Sequence, residues 1–157
     1  MSKQAQSGAM HGSHYNRMMS VMGIDYGGRR IGVAISESGL LASPHSVIEN
    51  PGDEERLAQQ LQNLGEQLGV DRFVIGLPRR TAPGQAGEEK FRRFADLLRQ
   101  RTCREVVLWD ETLSTVDANR AMHESGKNWK QRKALIDMEA AAVILQSYLD
   151  GQAPQHD

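Results

Sequence analysis

Apolar positions along this chain change their spacing near residue 50. Before that point they come in short runs separated by glycine and polar turns. Ser20 to Asp25 is a short apolar strand, Gly27-Gly28 a turn that glycines take easily, and Ile31 to Ile35 a returning strand. Leu40 to Ile48 continues as a third strand, and Pro44 assigns it to a sheet edge. Beyond it, Leu57, Leu61, Leu64 and Leu68 share one helical face between Asp53 and Leu68, where Gly69 stops the helix. Phe73 to Leu77 is a brief strand ended by Pro78, and Arg79 to Gly87 is a loop. Glu88 to Arg101 is helical and buries Phe91, Phe94, Leu97 and Leu98, and Glu105 to Trp109 is another strand. Val116 to Glu124 reads as a helix with Ser114 and Asp117 at capping-box spacing. Gly126 to Lys133 reads as a basic loop, and Ala134 to Leu149 as the last helix.

This order, β-β-β-α-β-α-β-α-α, predicts an α/β domain. An antiparallel meander followed by crossover units gives a mixed five-stranded sheet with helices on both faces. One domain is expected over 20–150, with polar, disordered tails at 1–19 and 151–157; order begins near Met18, Met19 or Met22. Hydrophobic content of 39% and charged content of 25% fit a folded globular chain. The single cysteine, Cys103, excludes an intramolecular disulfide and fits a cytoplasmic location. No apolar run approaches the roughly 20 residues that a membrane helix requires. A net charge of −1 means that a nucleic-acid partner has to be held by a local basic surface.

In sheets of this kind, sites form beyond the carboxyl ends of the parallel strands. Three acids fall near such ends. Asp25 closes the first strand among Gly23, Gly27, Gly28 and Gly32. It is either a turn-opening aspartate or a carboxylate that meets a cation, and the glycines serve either phosphate approach or tight packing. Glu111 follows the strand ending at Trp109 and Asp110; the pair either stabilises a helix start or supplies a ligand. Asp137 is placed one turn into the last helix, where the helix dipole also favours an acid, followed on its own face by Ala140, Ala141 and Ile144. Small alanines let that helix lie close to the sheet, bringing Asp137 toward the strand tips. Three carboxylates converging there suit Mg²⁺ or Mn²⁺ and phosphodiester hydrolysis.

The motifs Gly23-Ile24-Asp25-Tyr26-Gly27 with Arg30-Ile31-Gly32-Val33-Ala34, then Val74-Ile75-Gly76-Leu77-Pro78 with Gly84 and Gly87, stand in order along the chain. They are followed by Asp110-Glu111-Thr112-Leu113-Ser114-Thr115 and by Ile136-Asp137 with Ala140-Ala141 and Ile144-Leu145. From about Val21 to Leu149 the chain resembles the YqgF/RuvX family, RNase H-like proteins described as candidate pre-16S ribosomal RNA nucleases and Holliday-junction resolvase relatives. The resemblance implies an RNase H-like fold, with Asp25, Glu111 and Asp137 as catalytic, metal-binding acids. Thr112 stands where the family usually has Arg, and Ala140 where resolvase relatives tend to carry a further acid.

Two basic clusters border the acid edge: Arg79 and Arg80 with Lys90, Arg92 and Arg93, and the run Lys127, Trp129, Lys130, Arg132 and Lys133. Together with Arg30 they are candidate nucleic-acid contacts, Trp129 offering a stacking platform. The Lys127–Lys133 loop is expected to be a mobile clamp. Three functional classes stay open: a nuclease acting on structured RNA or branched DNA, a non-catalytic RNA-binding assembly factor, and one lobe of an actin-like ATPase. Expected partners are nucleic acid and a pre-ribosomal particle, with the chain a monomer or homodimer and no membrane involved.

Overall fold

The computed structural model describes residues 19–77, 86–110 and 129–152. Five strands form one sheet: β1 (Val21–Tyr26), β2 (Arg30–Ser36), β3 (Ser43–Glu49), β4 (Arg72–Leu77) and β5 (Glu105–Asp110). Their spatial order is β3-β2-β1-β4-β5. The meander β1-β2-β3 is antiparallel, whereas β4 runs parallel to both β1 and β5. Three helices complete the described chain: α1 (Glu54–Leu68), α2 (Ala86–Thr102) and α3 (Trp129–Gln152). Glu111, the expected helix Val116–Glu124 and the loop carrying Arg79 and Arg80 lie outside the described residues. Among those residues no helix is long and apolar enough to cross a membrane.

The pleat divides the core in two. Met22, Ile24 and Tyr26 of β1 face one way, into a cluster with Leu57 and Leu61 of α1 and Phe94 and Leu98 of α2. Val21 faces the other way, with Ala34, Val74 and the α3 residues Ala141, Ile144, Leu145 and Tyr148. Helices therefore cover both faces, as expected. Asp53 caps α1, accepting a hydrogen bond from the Glu55 amide at 3.0 Å, and Gly69 ends it at φ 69°.

On the α3 face, glycine replaces side chains along the line where the helix crosses. A Cβ on Gly23 would lie 2.7 Å from Leu145 Cβ, one on Gly76 2.4 Å from Ile144 Cδ1, and one on Gly32 only 2.0 Å from the Asp137 carbonyl oxygen. Of the two roles open to these glycines, packing is the one the structure displays.

In the turn between β1 and β2, a Cβ on Gly27 would meet the Arg30 carbonyl oxygen at 2.5 Å. Two local expectations are corrected. The third strand starts at Ser43, not Leu40. Gly39, at φ 81°, turns the chain there and leaves Leu40 and Leu41 each 72% exposed. The last helix starts at Trp129, so residues 129–133 are not loop. Lys, Gln and Arg are good helix formers, and a polar first turn needs no packing partner to be helical.

Replacing Gly32 by Ala should cost about 3 kcal/mol or more, because α3 has to lift from the sheet to admit the methyl group. Gly28, with nothing within 4 Å of a built Cβ, should accept Ala within about 0.5 kcal/mol. Urea unfolding of the two variants checks the contrast.

Candidate nuclease site

Asp25 pairs directly across the β1–β2 ladder with Gly32, and Gly23 with Ala34. Directly opposed residues project to the same side of an antiparallel sheet. Asp25 therefore belongs to the α3 face, two residues from Gly23. Its neighbour Gly32 is the position over which the Asp137 backbone lies. The absence of a side chain at residue 32 thus lets the α3 backbone that carries Asp137 lie against the strand next to Asp25. Asp25 and Asp137 are both half-buried. Glu111 lies outside the described residues, directly after Asp110, the last residue of β5. No cluster of three metal-ligating side chains occurs among the described residues, which include two of the three acids.

Asp137 has a different electrostatic setting from the one expected. With α3 starting at Trp129, it sits about two turns into the helix, where the field of the amino terminus has largely decayed. Its compensation comes from the sheet: Arg30 Nε donates to Asp137 Oδ2 at 2.7 Å. The structure thus engages Arg30, a candidate nucleic-acid contact, with one of the acids. The signal available in the sequence was strand parity, since Arg30 and Gly32 fall on one face of β2. The helix-face neighbours Ala140, Ala141 and Ile144 are buried, as the spacing indicated.

The candidate basic residues divide accordingly. Arg79, Arg80 and Lys127 lie outside the described residues. Trp129 and Lys130 open α3, followed by half-buried Arg132 and exposed Lys133. In the other cluster, Arg92 pairs with Glu88 at 2.9 Å, which offsets part of its charge. Lys90 Nζ lies 5.4 Å from the centroid of the Tyr26 ring.

Tyr26, next to Asp25 but on the opposite face, packs against Phe91 and Phe94 with ring centroids at 5.4 and 4.7 Å. Its hydroxyl donates to Glu54 Oε2 at 3.4 Å. Burial, then the charge of Glu54 and that hydrogen bond, push the phenol up to about 12. Tyr26 therefore keeps its proton at neutral pH and belongs to the core on the far side of the sheet from Asp25.

Residues 19–151 match the model of a family described as RuvX, Holliday junction resolvase. A Halothermothrix orenii protein named "Putative pre-16S rRNA nuclease" is 41% identical over 141 residues, covering 88% of this chain and 99% of its own. A protein of the same name from Acetivibrio thermocellus is 42% identical over 138 residues, covering 85% and 97%. Among solved structures, Thermus thermophilus RuvC in complex with Holliday junction substrate aligns with a TM-score of 0.52 at 15% identity, covering 85% of this chain and 95% of that one. The Fowlpox virus resolvase complexed with Holliday junction DNA gives a TM-score of 0.52 at 11% identity, covering 87% and 100%. These last two likenesses are of fold, and the fold is RNase H-like.

Since the Tyr26 phenol is raised above its ordinary value of 10, the folded state holds its proton more tightly than the unfolded chain. Its contribution to stability is full below about pH 10 and is lost as pH rises through about 12. Tyr26→Phe should shrink the fall in unfolding free energy between about pH 9 and about pH 11, measured by urea denaturation.

Proposed function

The chain belongs to the RuvX family, and on that premise we propose that it is a metal-dependent nuclease hydrolysing phosphodiester bonds in structured nucleic acid. The observation that carries this reading is the placement of Asp25 and Asp137 on either side of Gly32. A Cβ at residue 32 would collide with the Asp137 backbone, and the side chains that Asp25 and Asp137 contribute carry hard carboxylate oxygens. Such donors fit Mg²⁺ or Mn²⁺ better than zinc. Asp25, Asp137 and Glu111 are the residues proposed to hold the ion. When bound, it supplies Lewis acidity toward the phosphate and a lowered pKa for water.

The chain's own contribution is positional. Asp25 is fixed by a central strand hydrogen-bonded on both sides, to β2 and β4. Asp137 is fixed by a helix seated on that strand's neighbour. Lys130, Arg132 and Lys133 on the first turns of α3, with Arg79, Arg80, Lys127 and Trp129, are proposed to hold the phosphate backbone and an unstacked base. Ordered as helix, the basic residues lead directly into Asp137, so substrate held there is held against the acids.

Relatives about 40% identical over almost their whole length are named for pre-16S rRNA, which favours that RNA as substrate; its 5′ end, in a pre-ribosomal particle, is the proposed cutting site. Branched DNA is the second reading, favoured by the family's description as a resolvase. Incubating the protein with Mn²⁺ and end-labelled precursor RNA or four-way junctions distinguishes them. Cleavage of the RNA alone is expected, and cleavage of neither substrate overturns the nuclease reading.

Asp25→Asn should abolish cleavage while leaving thermal stability unchanged or raised, because it removes repulsion between neighbouring carboxylates. An active variant would remove Asp25 from the mechanism. Each phosphate contact made by a cation steepens the logarithmic salt dependence of affinity by roughly one unit. Neutralising Lys130, Arg132 and Lys133 together should therefore flatten the slope by about two to three units, measured by RNA binding at several salt concentrations.

A further inference from the structure

The cation paired with Asp137 among the described residues belongs to the chain itself. Arg30 and Asp137, 107 residues apart in sequence, meet at 2.7 Å with side chains 30% and 24% exposed. Resting on the reading of Asp25, Glu111 and Asp137 as metal ligands, we propose that Arg30 is a built-in counter-ion of the acid site, competing with the divalent ion for the Asp137 carboxylate.

The geometry supports competition in three ways. First, Arg30 lies two residues before Gly32 on the same face of β2, so the guanidinium starts beside the position that Asp25 opposes. Second, Arg30 has another acid within reach of its strand: it pairs across the ladder with Glu49, which is exposed. The guanidinium nevertheless bonds Asp137, where water is scarcer and a charge-assisted hydrogen bond is stronger. Third, the bond uses Oδ2 of a carboxylate whose backbone is pinned over Gly32. Asp137 therefore has limited freedom to serve an arginine and a metal ion at once. A site of neighbouring carboxylates is costly without a cation, and Arg30 supplies one from within the chain.

The test compares the whole chain with Arg30→Gln and Arg30→Lys, stripped with EDTA and then titrated with Mn²⁺ by calorimetry and thermal melting. Gln keeps a hydrogen-bond donor without the charge, and Lys keeps the charge without the fixed Nε geometry. Competition predicts that Arg30→Gln binds Mn²⁺ roughly tenfold tighter than the parent, with Arg30→Lys between the two. It also predicts that Arg30→Gln melts lower than the parent in EDTA and gains more from saturating Mn²⁺. Unchanged or weaker Mn²⁺ binding in Arg30→Gln overturns the proposal. If that variant does not fold, the same outcome in Arg30→Lys does so. Mn²⁺ binding that Asp25→Asn abolishes and Arg30→Gln leaves unchanged overturns the competition alone. Absence of Mn²⁺ binding in parent and variants alike overturns the metal reading with it.

Discussion

Where α3 crosses β2, β1 and β4, the strands carry Gly32, Gly23 and Gly76, and helix atoms occupy the space in which their Cβ atoms would stand. Everything at the acid edge depends on this approach. A side chain at any of the three positions would hold the helix farther off, and at Gly32 it would collide with the backbone of Asp137 itself. Helix and sheet meet as close to backbone on backbone as their chemistry allows. The position of one acid relative to the other is thereby set by atoms without rotamers.

That closeness sets the Asp137 backbone over β2, and the carboxylate there meets a cation from the same strand. Arg30 reaches Asp137 from β2, while the start of α3 is too distant to do so through its dipole. The basic first turns of α3 add positive charge at the same end of the helix. The acid edge is thus a local balance of opposite charges inside a chain that is nearly neutral overall. Tyr26 shows the complementary case on the opposite face. Aromatic packing and Glu54 hold its phenol in the neutral form, so that side of the strand contributes shape and no titrating group.

The strands, their order and the two helical faces were legible because apolar period, glycine stops and proline edges are local signals. Asp53 and Gly69 mark the ends of α1 by residue chemistry alone, and the Ala140-Ala141-Ile144 face announced a helix close to a sheet. The start of α3 was not legible. Trp129 to Lys133 carry no apolar stripe, and polarity there does not separate an exposed helical turn from a loop. Gly23 and Gly32 were recognisable as unusual, but whether their space admits a phosphate or a helix depends on a segment more than a hundred residues later. The Arg30–Asp137 pair was hidden for the same reason, since only the folded sheet brings β2 under α3.

The same arrangement has a consequence for how the molecule is made. The acid edge joins a residue near the start of the chain to one on its final helix. All five strands precede α3 along the chain, so the strand residues Val21, Ala34 and Val74 are made before the helix that buries them. A chain broken off before Trp129 would carry Asp25 without Asp137, and an uncovered apolar face of the sort that chaperones and proteases detect. Such fragments would lack the Arg30–Asp137 pair and the helix that closes that side of the core.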